Sequence, residues 1–317
     1  MTRFVVCGET LIDLVKSESA PNDTFSSTWH ALSAGGPMNS AVALGKLGNE
    51  THFLGRMSTD AFGRQLGAHI AGAGVEVDMV TVTDEPTSLA VVSLDAIGKA
   101  TYTFHFANTA NFNWQPHELP KLTPADWLHV ASLALVVDPG AEVLLSWTEQ
   151  TDALLSIDVN VRPTVISDPK EYWRRIEPWV RAVGSRGGLV KASDEDIEFL
   201  AKAGPGRTWK QVAENWVADY GVGFVLVTRG AGGASALPHD GGWIEVDGFQ
   251  TEVTDTVGAG DTFMAGFLDA YVAHSTDLAT AMTRGAAAAS IVCSRKGAQP
   301  PTAKEVDALI RFRARDN

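Results

Sequence analysis

The chain has 317 residues, 45% of them apolar and 20% charged, with a formal net charge of −13. That length suits one large α/β domain or two smaller ones around a substantial core. The acidic balance argues against nucleic acid or an anionic membrane as partner, and no apolar run nears the ~20 residues that span a bilayer. The two cysteines, Cys7 and Cys293, lie in apolar surroundings, the pattern of free thiols in a reducing compartment. Phe4-Val5-Val6-Cys7 begins without a basic region or a signal-length hydrophobic stretch, so the expected location is cytoplasmic.

Phe4 to Cys7 reads as a buried parallel strand ending at Gly8. Asp13 is expected in the loop just past that strand end, where open parallel sheets place their ligands; a plain loop carboxylate is the alternative. Residues 14 to 33 are polar with no helical period, apart from a candidate strand over Thr28 to Leu32. Gly35-Gly36-Pro37-Met38-Asn39 opens a helix that Gly48 stops. The glycine pair permits close approach of backbone to a ligand, and Asn39 offers the donor and acceptor that suit a sugar hydroxyl. Thr51 to Leu54 is a second core strand. Leu89 to Asp95 and Ala100 to Phe106 are β-rich runs joined by Ala96-Ile97-Gly98-Lys99, a hairpin signal. Phe104 to Ala110 then offers aromatic, amide and hydroxyl groups but no Arg or Lys. Pairing with a substrate anion would need such a cation, which favours a neutral substrate.

Leu128 to Ala131 and Leu154 to Val159 are further strands. The second runs into Asp158-Val159-Asn160-Val161-Arg162-Pro163, whose polar groups are placed to face a crevice. Arg162 is the cation best placed for a phosphoryl group or a substrate acid, with an ordinary surface ion pair as the alternative. Tyr172 to Val180 reads as helix. Gly188 to Val190 reads as a short strand before Lys191-Ala192-Ser193-Asp194-Glu195-Asp196, where Ser193 could simply cap a helix. Val222 to Val227 is the last clear strand, followed by the glycine-rich Thr228-Arg229-Gly230-Ala231-Gly232-Gly233. Six strand-like runs alternating with helical segments argue a parallel sheet with helices on both faces.

Asp255-Thr256-Val257-Gly258-Ala259-Gly260-Asp261-Thr262-Phe263 carries the most chemistry. A small-residue loop feeding a helix N-terminus is an anion site, and Asp261 at its mouth can accept a proton. A helix-dipole or capping role is the plain reading of that acid. The loop is not a dinucleotide fingerprint, because Phe263 stands where a third glycine would fall. Nor is there a Walker A loop, since Gly45-Lys46 precedes Leu47 and Gly98-Lys99 precedes Ala100. Met282 to Ser294 is an Ala-rich helix.

The run from Asp255 to Phe267 resembles the C-terminal signature of the ribokinase-like sugar kinases, the PfkB family. Gly35 to Asn39 resembles its N-terminal signature, although Ser58 stands where the family usually has glycine. The resemblance covers nearly the whole chain and implies one kinase domain over 1–317. The implied fold is α/β, a doubly wound, mainly parallel sheet flanked by helices. A small β-sheet lid, formed by roughly 14–33 and 88–108, would sit over the sugar and offer a homodimer contact. Asp261 is then the implied catalytic base, with Gly258, Ala259 and Gly260 as anion hole. Asp13, Gly35, Gly36, Asn39, Phe104 and Arg162 would hold the sugar. Ser193, Thr228, Gly230 and Gly233, with Gly258 and Gly260, would hold ATP. Asp196 would bind magnesium through water. A monovalent cation, K+, would lie near Asp255 in a backbone-based site, since Pro301 offers no side-chain ligand.

The motif spelling is similar to that of the family's fructokinases, which implies fructose as substrate. 2-Keto-3-deoxygluconate is the first alternative, then ribose or a nucleoside. Outside the kinases, a sugar-binding regulator would fit the same pattern. A dinucleotide-dependent oxidoreductase would need a glycine fingerprint that Cys7-Gly8-Glu9-Thr10 lacks.

Overall fold

The computed structural model describes residues 2–17, 25–94, 100–204 and 207–316. In chain order the strands are β1 (Arg3–Cys7), β2 (Leu11–Lys16), β3 (Trp29–Ala34), β4 (Thr51–Leu54), β5 (Arg56–Ser58), β6 (Thr81–Thr83) and β7 (Leu89–Leu94). They continue with β8 (Ala100–His105), β9 (Asp126–Ala131), β10 (Leu154–Asp158), β11 (Leu189–Ser193), β12 (Phe224–Thr228), β13 (Ala234–Pro238) and β14 (Ile244–Val246). The helices are α1 (Gly36–Lys46), α2 (Ala61–Ala71), α3 (Gly140–Thr148), α4 (Pro169–Gly184), α5 (Asp194–Ala201), α6 (Trp209–Tyr220), α7 (Ala259–Leu268), α8 (Leu278–Cys293) and α9 (Ala303–Asp316).

The main sheet has eight strands in the order β14-β13-β12-β11-β10-β9-β1-β4. The run from β4 through β12 is parallel, and β13 and β14 add on antiparallel. The six parallel strands are the six runs expected from the sequence. Their unbroken apolar character follows from burial on both faces. Neighbours along β1 enter opposite cores: Val5 and Cys7 pack with Tyr172, Trp179 and Trp216 of α4 and α6. Phe4 and Val6 pack with Met38, Phe263 and Ala287 of α1, α7 and α8.

The strands interrupt this pattern on one face. Trp127 and Leu189 belong to the core under α1 and α7. The side-chain period of two therefore turns His129 of β9 and Lys191 of β11 to the same side. Register pairs His129 with Ser156, and Lys191 with Asp158. Four polar residues thus sit in the sheet below α1 and α7.

A second sheet has four strands, β3-β2-β7-β8. It differs from expectation in two respects. It begins at Leu11 rather than near residue 14, and Asp13 is not in a loop past β1 but within β2, opposite Leu32. The intervening Gly8 to Thr10 turn is short enough for the chain to leave the main sheet at once. The expected Ala96–Lys99 hairpin turn lies outside the described residues, while its two strands pair antiparallel from Leu89–His105 to Leu94–Ala100. Ser58, the departure from the family spelling, ends β5 and its hydroxyl accepts from the Asp60 N–H at 3.0 Å.

Candidate active site

Every expected site residue lies at the C-terminal ends of the parallel strands or on the small sheet facing them, where open α/β sheets place ligands. A cavity of about 470 Å³ is lined by Asp13, Gly35, Gly36 and Asn39 on one side, and by Arg162 and the Gly258–Asp261 loop on the other. Phe104 closes it from β8. That volume falls within the ~300–1,000 Å³ of small-molecule sites.

Local structure explains the glycines. Gly35 is the N-cap of α1 at φ 127, and a Cβ there would meet the Glu9 carbonyl at 2.5 Å. Gly258 caps α7 at φ 77, where a Cβ would press on Ala298 at 2.7 Å. Residues with side chains rarely adopt such angles. Gly36 and Gly260 are held small by their neighbours. A Cβ at Gly36 would come 3.0 Å from Asn160 Nδ2 and 3.2 Å from Asp261 Oδ1, and one at Gly260 would come 3.0 Å from Lys191 Nζ.

Asp261 stands in the first turn of α7, only 7% exposed, and its Oδ2 accepts from Asn39 Nδ2 at 2.9 Å. Burial pushes its carboxyl up to about 6; the Asn39 hydrogen bond, Lys191 and Arg162 oppose this, and Asp158 adds to it. That environment suits a group that must gain and lose a proton near neutrality. Asp13 is likewise raised by burial to about 6, with Arg162 opposing. Among the described residues Arg162 forms no ion pair. Its Nη1 instead donates to Asn160 Oδ1 at 2.6 Å and to the carbonyls of Asn160 and Val161 at 3.2 and 3.1 Å.

Glu9, Tyr102, Ser132 and Asn160 also line the cavity and were given no site role from the sequence. Glu9 is buried and accepts from the N–H groups of Leu133 and Ala134 at 3.4 and 3.2 Å. Burial raises its carboxyl to about 7 against those hydrogen bonds and the charge of Arg162. Tyr102 stacks on Phe104 with ring centroids 6.1 Å apart. Ser132 and Asn160 hold positive φ angles of 62 and 42°. Two signals among these were legible: Glu9 as an acid following a strand, and Asn160 among the polar groups of 158–163 expected to face a crevice.

Of the residues expected at the nucleotide, Gly258 and Gly260 line this cavity, while Ser193, Thr228, Gly230 and Gly233 lie outside it. Ser193 and Thr228 are register partners at the ends of β11 and β12. Ser193 caps α5: its Oγ accepts from Asp196 N at 3.0 Å, while Asp196 Oδ2 accepts from Ser193 N at 2.8 Å. Asp196 Oδ1 accepts from Val161 N at 2.8 Å, so that carboxylate ties the α5 start to the Arg162 loop. Gly230 is exposed in open space, whereas Gly233 is packed against backbone, with a Cβ position 2.1 Å from the Val246 carbonyl. Asp255 joins the anion-hole loop to the 297 turn, accepting from Val257 N at 3.0 Å and Gly297 N at 2.9 Å. Among the described residues no three His, Cys, Asp or Glu side chains converge to hold a metal ion. No helix there is long and apolar enough to cross a membrane.

The raised carboxyls give a pH dependence with two opposite signs. With Asp261 as the base expected from the sequence, ionised for turnover, kcat/KM is expected to fall about tenfold per pH unit below about 6. Stability of the ligand-free protein runs the other way. Glu9, Asp13 and Asp261 keep protons that the unfolded chain releases, so their stabilisation is full below the unfolded values and lost as pH rises through about 6 to 7. Rates and melting curves between pH 5 and 8 check both; a flat rate profile would remove Asp261 as a titrating base.

A buried carboxylate facing backbone amides at a helix start, in a cavity at the strand ends of a doubly wound sheet, defines a group-transfer enzyme of the ribokinase-like fold. The model of the pfkB family carbohydrate kinases matches residues 1–305, and the chain belongs to that family. It is 33% identical to a fructokinase from Rhizobium leguminosarum bv. trifolii over 84% of this chain and 78% of the relative. It is 31% identical to a Klebsiella pneumoniae fructokinase over 80% and 84% of the two chains. The structure superposes on a Vibrio cholerae O395 fructokinase in its fructose-, ADP- and calcium-bound form, with TM-score 0.81, 25% identity and coverage of 98% and 99%. A Xylella fastidiosa fructokinase with bound ATP shares the fold, with TM-score 0.87, 24% identity and coverage of 99% and 100%.

Proposed function

We propose that this carbohydrate kinase phosphorylates fructose, using ATP as donor. The single observation that carries the choice of a neutral sugar is the charge of the cavity. Among the described residues, Glu9, Asp13 and Asp261 line it against one lining cation, Arg162. A sugar acid would enter a field set largely by carboxylates, while hydroxyls find acceptors in Asp13 and Asp261 and a donor and acceptor in Asn39. The fructokinase relatives point the same way.

In the reaction, Asp261 Oδ takes the proton of the attacking sugar hydroxyl. The hydroxyl oxygen forms a bond to the γ-phosphorus as the bond to the bridging oxygen breaks, and ADP leaves. The amides of Gly258 and Gly260 meet the charge on the transferring group, whereas the Ala259 N–H, expected to join them, donates to the Thr256 carbonyl at 3.2 Å. Thr228, Gly230 and Ser193, at the ends of β12 and β11, lie on the nucleotide side. The four-stranded sheet acts as a lid that excludes water. Among its described residues, the exposed large apolar side chains Leu32 and Tyr102 lie on its two edge strands and would be covered in a homodimer.

Magnesium would come with the nucleotide, held mainly by phosphate and water, and the Asp196 carboxylate beside the Arg162 loop is an oxygen donor that fits it. It would neutralise phosphate charge, with Asp196 reaching it through water. A monovalent cation would use carbonyls of the two loops that Asp255 joins; a Vibrio cholerae fructokinase variant has been solved in a potassium-bound form.

The test is a sugar panel assayed for ADP release. Fructose is expected to give the highest kcat/KM, above 2-keto-3-deoxygluconate, ribose and nucleosides. Turnover of the sugar acid with fructose inert would overturn the assignment, and sugar binding without ADP release would favour the regulator.

A further inference from the structure

The structure assigns Lys191 a role in phosphoryl transfer as a positioning residue: its ammonium supports the anion-hole loop from beneath, across Gly260. This rests on the kinase reading of the Asp261 site.

Lys191 projects from β11 below the first turn of α7. Its side chain is 4% exposed and its Nζ lies 2.6 Å from Asp158 Oδ2, on a side chain that is fully buried. An ammonium carries three donors, and Asp158 is the hydrogen-bond partner found for this one among the described residues. The other Asp158 oxygen, Oδ1, is buried without a hydrogen-bond partner among the described residues. The pair is therefore under-satisfied on both sides, although each unmet polar group in a dry interior is costly. Burying an ion pair for stability alone is a poor bargain, since apolar residues of similar volume often do as well.

Its place in the fold suggests what it does. Gly260 is the anion-hole residue nearest to it, and a Cβ there would stand 3.0 Å from Nζ. The missing side chain at 260 thus serves the approach of a cation to the loop. The groups that face Lys191 are Asp158, Asp196 and Asp261 from three elements, with His129 on β9. Burial is the largest single influence and works against the ammonium, but Asp158, Asp196 and Asp261 together outweigh it, so the charge is held. Burial and Lys191 together push His129 down to about 3, leaving it neutral and Lys191 the cation of this layer. Both charges sit near the C-terminal ends of adjacent central strands, an inflexible base for a loop that must meet a phosphoryl group.

Three variants test this, with fructose-dependent ADP release and thermal melting as readouts. Lys191→Met leaves Asp158 buried and unpaired, so both stability and turnover should fall. Lys191→Met with Asp158→Asn removes both charges, and melting should recover while kcat stays about tenfold low. Asp158→Asn alone keeps the cation and should stay within about threefold of the parent in kcat, despite its own loss of stability. Recovery of kcat together with melting in the double variant would overturn the proposal. So would an Asp158→Asn variant that still folds but loses as much turnover as Lys191→Met, because either result makes the pair a structural unit only. An unmodified protein with no sugar-dependent ADP release would instead refute the kinase reading itself.

Discussion

Asp261→Asn is expected to lower kcat by roughly 10²–10⁴ while leaving ATP binding in place. The variant keeps the size of the side chain and an oxygen that can accept from Asn39 Nδ2, the one hydrogen bond of the carboxylate in the structure. Asn is also acceptable near a helix start, so α7 should form as before. Stability should hold or rise at neutral pH, because the replaced carboxylate is a buried charge whose pKa burial has raised to about 6. ATP affinity should rise slightly as a negative charge near the γ-phosphate is removed. If Asp261 served only the helix dipole, its loss would cost a few tenths to ~1 kcal/mol and spare kcat. Measuring kcat, nucleotide affinity and melting on this variant separates the two, and near-normal turnover would sink the mechanism.

Legibility in the sequence followed the range of the interactions. The anion loop was readable because Gly258 to Asp261 is contiguous, and each part answers to its own backbone: a glycine cap at φ 77 and an acid one turn into α7. The six parallel strands were readable because burial on both faces writes an apolar run. Asp13 was misplaced because the turn into β2 leaves no composition signal, and the small sheet mixes polar and apolar residues where Leu11, Asp13, Tyr102 and Phe104 line the cavity. Glu9 and Lys191 were quoted in their motifs yet carried no reading. Their meaning depends on what lies across the fold: Leu133 and Ala134 for Glu9, Asp158 and Gly260 for Lys191. Sheet register sets those juxtapositions, and local spacing does not encode it. The same limit explains Gly260, read as room for a ligand and found also to be room for an ammonium. Ser193 shows the reverse: the capping geometry legible from Ser193 to Asp196 is present in full, whatever else that serine does for the nucleotide.

Arg162→Ala is expected to reduce kcat/KM by about 10- to 150-fold, the equivalent of roughly 1.5–3 kcal/mol for a charge-assisted contact, with the fold intact. The alternative, a structural ion pair, has no counterpart in the geometry: among the described residues the guanidinium meets no carboxylate within bonding distance. Its hydrogen bonds are short-range, all from Nη1 to Asn160 and Val161, so deleting them should cost little in tertiary packing. The backbone N–H of Arg162, which donates to Tyr172 Oη at 3.0 Å, survives the substitution. What disappears is, among the described residues, the one cation lining a cavity that also carries Glu9, Asp13 and Asp261. Arg162 holds each of those carboxyls lower than burial alone would leave it. Removing it should therefore move the acid limb of kcat/KM upward from about 6, a shift that loss of a merely structural contact would not produce. Melting within a few degrees of the parent, a lower kcat/KM and an upward limb would together place Arg162 in the site. A melting temperature many degrees lower with kcat unchanged would make it a structural residue.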